Sequence, residues 1–558
     1  MKRESAKYDL CFLILLIGAL MVHLSRIRLG YADIDESFYL TVPYRILQGD
    51  SFLVDEWHLS QLLAFLTLPI MKVYLLIFRN TEGIYLAFRY IYLAALAVAA
   101  SLSYWLLRSR DKVLAMAASI MIALFVPFGL RTMGYNQVGL LTVWQFGAVM
   151  LTDTRFFRIR YAMAGVLLAM SVLCNPYMLS LYLLYAAACI WKRKKEDAFG
   201  LRALGWVTVG CAVPGVLFLG FLLYRTSPAE IMRNLPYLFR DPSHVAKTLQ
   251  SFFSPIVKFV VWFWPYFAIF VVGLLASLTF LGLRRLLFQL MALLQLVLWV
   301  LLCVFKSDGV GKYAIMLPLT LLGLMAFLLT ENKSWDIFCK GWLVGIIYAV
   351  CMNLSSNQGI YVICNACAVS SGFSLFLIKD YLDEEQEWNH RMWWLASLIV
   401  LQLLAEVWIN MTTVFWEDDV SSLTALIEQG PQKGIYTTAR KKEIYDINYE
   451  NLQSLGDLDG KYFMCFNYFP CAYLIEENAR NGCFSAWLAE AENLTGERAE
   501  RYQWYYELHP EKQPEVIYID VEASCTWSDE EWDAWCEEYH YRREVFERGG
   551  SVLYLQES

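Results

Sequence analysis

Acidic side chains are concentrated in one early segment of the chain. Asp33, Asp35 and Glu36 lie almost side by side, and a second acidic pair follows at Asp55 and Glu56. Carboxylates grouped in this way can take a proton from a hydroxyl group or bind a divalent metal ion. The same residues also fit a solvated loop, since acids are mostly exposed in proteins.

Two basic residues favour a functional site over a solvated loop. His58 directly follows the second acidic pair, and Arg89 lies about two turns inside the next apolar segment. An arginine within a membrane span costs about 2.5–3.5 kcal/mol near the bilayer centre, less near the edge, and it usually has an acidic partner or an anion. Acids and bases are therefore predicted to meet at one membrane face.

The elements that must position these residues are mostly apolar. Of the 558 residues, 58% are hydrophobic and 18% charged, whereas a soluble chain carries about 25% charge. Residues 413–558 contain 12 Lys and Arg against 29 Asp and Glu, a net charge of −17, which leaves +10 for residues 1–412. The sequence thus predicts a basic membrane domain, 1–412, and an acidic soluble domain, 413–558, with no basic run that indicates nucleic-acid binding.

Apolar length predicts the membrane spans, since about 20 residues cross a hydrocarbon core of about 30 Å. The segments long enough to cross predict an all-α polytopic protein with about thirteen transmembrane helices, near 8–24, 84–107, 112–130, 136–152, 160–174, 177–191, 203–223, 257–280, 286–305, 313–330, 341–355, 359–378 and 392–412. The break at Asn175-Pro176 predicts two short legs, with one kinked span as the alternative.

Lysine and arginine in the short loops predict the orientation. A cytoplasmic N-terminus places the basic clusters at 108–112, 155–160, 192–195 and 284–285 in the cytoplasm. Thirteen spans then put the C-terminal domain outside the plasma membrane. The apolar segment 62–78 is interrupted by Pro69 and Lys72, and counting it as a span would reverse the later loops, so we predict a helix along the outer interface within a long first outer loop, 25–83.

The acidic domain shows strands alternating with helices, which predicts a small α/β domain. The predicted helices are 421–429, 440–454, 502–508 and 528–541, and the predicted strands are 434–438, 461–466, 515–520 and 551–555. Five cysteines lie in this outer domain, where disulfides can form, namely Cys465, Cys471, Cys483, Cys525 and Cys536. Its numerous tryptophans fit a packed core or sugar stacking.

From Asp33 to about Thr330 the chain resembles the membrane-embedded GT-C glycosyltransferases, the group of protein mannosyltransferases and aminoarabinose transferases. That group has an acidic pair followed by tyrosine after the first span, a His- or Lys-led Pro-Pro-Leu box, a Ser/Thr-Glu pair with a later arginine, a break between two short spans and a late Lys/Arg-Tyr-Leu-Leu-Pro stretch. The matching positions here are Asp35-Glu36 with Tyr39, His58 with Leu62, Thr81-Glu82 with Arg89, Asn175-Pro176, and Lys312-Tyr313 with Pro318. Both prolines of the His-led box are missing.

The resemblance implies a transferase that moves a sugar from a polyprenyl-phosphate donor to a glycan, lipid or protein acceptor in the cell envelope, with inversion. It implies Asp35 as the catalytic base, with Glu36 or Asp33 orienting it or holding a metal if one is used. His58, Arg89 and Lys312 become candidates for binding the donor phosphate, and Arg240 a further candidate beside Asp55 and Glu56 in the outer loops. Each basic residue also fits a cation that reaches the membrane surface.

Two rival functions remain open on the sequence. A lipid or solute transporter would place paired ionisable residues at mid-depth in several spans, and Glu406 is almost the only such residue. A non-catalytic membrane scaffold fits the missing prolines after His58. No cofactor is certain, and a divalent metal ion is an open alternative.

Overall fold

The computed structural model describes residues 2–31, 33–152, 156–192, 199–238, 249–305, 310–355, 360–385, 390–417, 419–466, 469–486, 499–522 and 528–556. The membrane part consists of α1 (Lys2–Leu24), α2 (Asp33–Gln48), α3 (Ala64–Phe78), α4 (Ile84–Leu107), α5 (Lys112–Leu124), α6 (Tyr135–Leu151), α7 (Phe157–Cys174), α8 (Leu179–Lys192), α9 (Leu201–Arg225), α10 (Pro228–Leu238), α11 (Leu249–Trp262), α12 (Trp264–Thr279), α13 (Arg284–Phe305), α14 (Val310–Tyr313), α15 (Met316–Leu329), α16 (Trp335–Ile337), α17 (Leu343–Ser355), α18 (Ile360–Glu384) and α19 (Arg391–Thr412). The predicted multi-pass helical membrane protein is confirmed.

Local sequence explains several helix ends. The Asp111 carboxylate accepts hydrogen bonds from the amides of Val113 and Leu114, both at 2.9 Å, and so begins α5. Helix α7 ends at Cys174, and the Asn175 side chain accepts a bond from the Tyr177 amide to start a short turn before α8. The two legs that the Asn-Pro break predicts are therefore separate helices.

Nine segments among the described residues are long and apolar enough to cross a membrane, or ten if the pair bent by 75° at Phe263 counts as one span. This is fewer than the thirteen predicted. Each predicted span coincides with a helix, but several of these are too short for the length criterion: 112–124, 176–191 and 316–329. Helix α6 has only 17 residues, and Leu59–Phe78, predicted to lie along the interface, passes the test.

Contacts at both ends of α3 favour an orientation along the membrane face. Just before it, the Trp57 amide donates to the Phe484 carbonyl at 2.8 Å, and just after it the Thr81 hydroxyl donates to the Leu474 carbonyl at 2.7 Å. Both acceptors belong to the C-terminal domain. A 20-residue helix that crossed the bilayer would carry its ends about 30 Å apart, on opposite sides, so these contacts support the predicted interfacial helix.

A labelling experiment tests this placement. Single cysteines at Ser60 and at Asn80, in a chain whose exposed cysteine has been replaced, should both react with an impermeant thiol reagent added from outside. The reason is that both positions flank a helix whose two ends contact one domain. Labelling at only one of the two positions would show that 59–78 crosses the bilayer.

The C-terminal domain contains β1 (Ala425–Leu426), β2 (Tyr436–Thr437), α20 (Ala439–Ser454), β3 (Tyr462–Phe466), α21 (Ala472–Ile475), β4 (Arg480–Asn481), α22 (Ala499–Leu508), β5 (Val516–Ile519), α23 (Asp529–Tyr539), β6 (Tyr541–Val545) and β7 (Ser551–Leu555). Five strands form a mixed sheet in the order β4-β3-β5-β7-β6. Strands β3 and β5 are parallel, with Phe463 opposite Val516, whereas β7 runs antiparallel to both neighbours. An α/β domain follows the last membrane helix, as predicted; its boundary at 412/413 stays a prediction.

One predicted helix of this domain is wrong, and two of its strands were not predicted. Residues 421–429 do not form the predicted helix: only 421 and 422 lie in a short 3-10 turn, and Ala425 and Leu426 form a strand because they pair with 436–437. Strands β4 and β6 were not predicted, since each is short or polar and is held by a distant partner. The cysteines of this domain that the structure describes, which exclude Cys525, are all free, so no disulfide forms among them.

The segment predicted as the first outer loop, 25–83, forms backbone hydrogen bonds with the C-terminal domain. Leu29 bridges to Tyr436, and the Gly30 amide donates to the Tyr436 carbonyl at 2.9 Å. Gly30 has a φ of +95°, and a Cβ there would lie 2.2 Å from Val414, so no other residue fits without displacing the chain. The acidic segment is thereby placed between the membrane helices and the C-terminal domain.

Candidate functional site

Asp35 lies in the first turn of α2, beside three aromatic side chains. The Trp416 indole forms a hydrogen bond with its carboxylate, and the mutually bonded hydroxyls of Tyr39 and Tyr135 lie within its electrostatic range. Burial raises the pKa of Asp35 to about 7, and the Trp416 bond offsets part of the rise. A carboxyl group with a pKa near neutral pH can accept a proton in one step and release it in another, as a general base requires.

Glu36 points away from Asp35 and forms a buried ion pair with Arg89. The Arg89 guanidinium donates to both Glu36 oxygens, at 2.8 and 2.5 Å, and the two side chains are 0% and 3% exposed. It also donates to the carbonyls of Ile27, Leu29 and Gly30, at 3.0, 3.3 and 2.9 Å. All five N–H donors of Arg89 are therefore used within the protein.

This geometry bears on two roles that the sequence suggested, both of which stay predictions. Arg89 has no donor left for a phosphate group, so it does not fit the predicted role of phosphate ligand. Both carboxylate oxygens of Glu36 accept hydrogen bonds from Arg89. The pair instead holds the start of α2 against the chain that leads out of α1, and so positions Asp35.

His58 caps a helical turn. Its Nδ1 accepts a hydrogen bond from the Ser60 amide at 3.2 Å, and its own amide donates to Glu56 at 3.1 Å. The ring is buried and packs edge-on against Phe38, with the centroids 4.9 Å apart. These contacts favour a structural role over the predicted phosphate contact.

Lys312 lies close to the end of the last membrane helix. Its Nζ donates to the Thr412 carbonyl at 3.1 Å and lies 5.5 Å from the centre of the Trp408 ring. Only three residues lie between Thr412 and Trp416, which bonds Asp35. Of the three predicted phosphate ligands, Lys312 is thus the one that stays compatible with that role.

Asp55 and Glu56 belong to a buried network centred on Arg45. The Arg45 guanidinium donates to Asp50 at 2.9 Å and to Glu56 at 3.1 Å, and also to the carbonyls of Asp55 and Cys483. Cys483 lies in the C-terminal domain. The network therefore joins the first outer loop to that domain.

The same network reaches two more residues of the domain. Lys512 forms ion pairs with Asp55 at 2.6 Å and with Asp50 at 3.3 Å, and the Asn481 amide donates to Asp50 at 3.0 Å. Asp55 and Glu56 therefore link the loop to this domain, and their predicted part in the site stays a prediction. Asp50, which its loop position suggests is a neutral site for substitution, is 7% exposed and doubly paired.

Arg131 is a candidate that the sequence analysis missed. It follows α5, is 5% exposed, and donates to the Gly129 carbonyl at 3.1 Å, the Asn410 amide oxygen at 2.8 Å and His23 Nδ1 at 3.4 Å. All three acceptors are neutral when His23 is neutral, and no described carboxylate pairs with Arg131. A buried cation without an anion is costly, so its position points to an anionic ligand.

The surroundings of Arg131 contain further cations and several buried oxygens without a hydrogen-bond partner in the described structure. A narrow recess at this place is lined by Arg26, Arg89 and Arg131 together with Val414 and Phe415. Burial, and then the nearby Arg89, lower the pKa of Arg131 to about 10, which leaves it charged at neutral pH. The hydroxyl oxygen of Thr132, the next residue in the chain, is buried without a partner in the described structure. The same holds for one side-chain oxygen each of Tyr313, Glu406 and Thr413, which line an adjoining recess.

A metal ion finds no ready site in the part of the chain that the structure describes. No group of three or more His, Cys, Asp or Glu side chains there could hold one. The backbone of Asp33 begins α2, but its side chain lies outside the described residues, as does Arg240. The predicted roles of these two residues therefore stay predictions.

No protein-family model matches the chain, and no curated protein does. Among solved structures, the chain is similar to the Archaeoglobus fulgidus oligosaccharyltransferase in complex with Zn and sulfate, with 14% identity, 97% of this chain and 73% of that chain covered, and a TM-score of 0.49. The archaeal oligosaccharyltransferase AglB from the same organism, in complex with an inhibitory peptide and a dolichol-phosphate, gives 14% identity, 98% and 74% coverage and a TM-score of 0.44.

A second kind of solved structure is also similar. ArnT from Cupriavidus metallidurans, bound to undecaprenyl phosphate, gives 11% identity, 99% coverage of this chain, 98% of that chain and a TM-score of 0.42. Both kinds are GT-C membrane glycosyltransferases, the group that the sequence resembles. Identities this low, with TM-scores below 0.5, assign no residue role to this chain.

Proposed function

We propose that this chain transfers a sugar from a polyprenyl-phosphate donor to an acceptor hydroxyl, at the membrane face that carries the C-terminal domain. One observation carries the proposal: a buried guanidinium without a carboxylate partner, Arg131, lies in the same cluster as Arg89, whose partner Glu36 adjoins Asp35. A cation that needs an anion and a carboxylate with a pKa near neutral are the two groups that such a transfer uses.

The reaction divides between these two groups. Asp35 takes the proton from the acceptor hydroxyl as its oxygen forms a bond to the anomeric carbon of the sugar. The bond from that carbon to the donor phosphate oxygen breaks, and the phosphate keeps the electron pair. Arg131 stabilises the negative charge that develops on the phosphate. Arg26, which also lines the recess, and Lys312, which bonds Thr412 just before the recess-lining Val414, assist it. Attack opposite the leaving phosphate gives inversion at the anomeric carbon.

The wall of the recess connects the two groups. Its volume of 10 Å³ admits about one water molecule, so a phosphate group must displace part of the wall to reach Arg131. Val414 and Phe415 form that wall, and Trp416 follows them directly. Donor entry would thereby loosen the Trp416 bond to Asp35, and because that bond lowers the pKa of Asp35, its loss makes Asp35 a stronger base.

Replacing Arg131 by glutamine tests the proposal. The variant should raise the KM for a polyprenyl-phosphate sugar by about 10–100-fold, because a hydrogen bond to a charged group contributes about 1.5–3 kcal/mol. Transfer of radiolabelled sugar by purified protein in nanodiscs measures it. Arg548→Gln is the matched control, since Arg548 forms a surface ion pair with Glu450. An unchanged KM in Arg131→Gln would remove Arg131 from the donor site.

A further inference from the structure

A second polar cleft lies between the end of the first outer loop and the C-terminal domain. Its volume is 440 Å³, within the range of about 300–1,000 Å³ typical of small-molecule sites. Four carboxylates line it, with one aromatic ring: Glu82, Asp457, Glu476, Glu477 and Tyr449. No Lys, Arg or His is among its lining residues in the part of the chain that the structure describes.

The cleft is separate from the region around Asp35. Asp35 lies in the first turn of α2, whereas the Tyr44 hydroxyl donates to the Glu477 carbonyl at 2.7 Å from further along the same helix. Nine residues of helix at 1.5 Å per residue put the two places about 13 Å apart. The cleft is therefore no part of the proposed transfer site.

Three of the four carboxylates have partners within the protein. Glu477 accepts from the Thr81 amide at 2.7 Å and from the Thr81 hydroxyl at 2.9 Å. Glu82 pairs with Lys433 at 2.9 Å, and Asp457 accepts from a backbone amide at 3.0 Å. These contacts leave the fourth carboxylate as the distinctive group of the cleft.

Glu476 is that group. Its side chain lines the cleft, the residue is only 9% exposed, and no described donor bonds its carboxylate. Burial raises the pKa of Glu476 to about 7. A carboxylate so deeply buried without a partner is costly, and in a site of this size a ligand that supplies a positive charge relieves the cost.

We propose that this cleft binds a hydrophilic ligand through a primary ammonium group that pairs with Glu476. The charges decide the sign of the ligand: four carboxylates against Lys433 give a net negative cleft, which repels phosphates and carboxylates. The Tyr449 ring offers a face to the cation, and the amides of Asn80 and Gln453 suit hydroxyl or amide groups beside it. An amino sugar and a lysine side chain both carry this chemistry.

Two pairs of probes test the proposal by isothermal titration on the full chain in nanodiscs at pH 7.5. Glucosamine and Nα-acetyl-lysine methylamide should bind, whereas N-acetylglucosamine and the doubly acetylated lysine derivative should not. The stronger of the two amines identifies the source of the ammonium group. Binding of the lysine probe should weaken as the pH falls from 8 to 5.5, because burial raises the pKa of Glu476 to about 7 and its carboxylate becomes protonated over that range.

Glu476→Gln supplies the matched variant. It should weaken amine binding about tenfold or more, and because it removes an unpaired buried charge it should not lower the melting temperature. Glu537→Gln, an exposed acid on α23, should bind like the wild type. Equal binding of the amines and their acetylated counterparts, no binding of either amine, or unchanged binding in Glu476→Gln would each overturn the proposal.

Discussion

Asp35→Asn should reduce sugar transfer by about 10²–10⁴-fold, the usual contribution of general-base catalysis. The amide keeps the shape of the side chain and a contact with Trp416, but it cannot accept the acceptor's proton. Expression and melting temperature should stay at the wild-type level, because the substitution removes a half-buried carboxylate that no cation pairs with in the described structure. The measurement is turnover at saturating donor and acceptor.

Asp459→Asn is the control for this experiment, since Asp459 is an exposed acid in the turn between α20 and β3 of the C-terminal domain. Asp50→Asn is unsuitable, because it would disturb the Arg45 and Lys512 pairs. Full turnover in Asp35→Asn would show that another group takes the proton.

The pH dependence of sugar transfer also tests whether Asp35 is the base. Because burial raises the pKa of Asp35 to about 7, the base is protonated below that pH and turnover should fall on the acidic side. In the pH profile of kcat/KM, which reports the free enzyme, Trp416→Phe removes the hydrogen bond that lowers the pKa of Asp35, so the acidic limb of that profile should move to higher pH. A limb that stays in place in Trp416→Phe would exclude Asp35 as the group that titrates.

Arg89→Ala should be the most destabilising single change proposed here. It leaves Glu36 buried and unpaired and frees three backbone carbonyls, and breaking a buried ion pair costs about 3–5 kcal/mol. Thermal unfolding of detergent-purified protein should show a clear drop in melting temperature, with less protein recovered. A phosphate ligand would behave differently, since its loss would leave the melting temperature unchanged and weaken donor binding.

The double variant Glu36→Gln/Arg89→Met separates the two interpretations. Removing both charges relieves the unpaired carboxylate, so the double variant should be more stable than Arg89→Ala alone. If Arg89→Ala melts like the wild type, the pair is not what holds α2 in place, and a direct role for Arg89 at the donor returns.

The membrane helices could be predicted from the sequence because their signal is local. A run of apolar residues bounded by Asp111 or by Asn175-Pro176 carries its own start and stop. The number of spans was harder, since helices such as α5 and α15 are too short to decide by length whether they cross. Segment 421–429 was mistaken for a helix because its pairing with 436–437 is decided by tertiary contacts, which override propensity.

In the candidate site, too, local sequence signals could be predicted and tertiary contacts could not. The sequence placed Asp35, Glu36 and Arg89 near one membrane face, but the role of each depends on which hydrogen-bond donors are already used within the protein, and the sequence does not show that. Arg131 carried little signal, as a lone arginine between apolar loop residues. The one signal in the sequence was the apolar character of the residues around Arg131, because a charge among apolar residues requires a partner. Trp416 is one of the tryptophans that the sequence left open between a packed core and sugar stacking, and it forms a hydrogen bond with Asp35.

The buried links around Arg45 set an order in which the protein can be assembled. Arg45 and its acceptor at Cys483 are 438 residues apart, which at about 5–20 residues per second is about 20–90 s of synthesis. During that interval Arg45, Asp50 and Asp55 lack their partners at Cys483 and Lys512. The buried network can therefore be completed only when translation is nearly finished. A chain truncated before Lys512 would lack the ion pairs of Lys512 with Asp50 and Asp55.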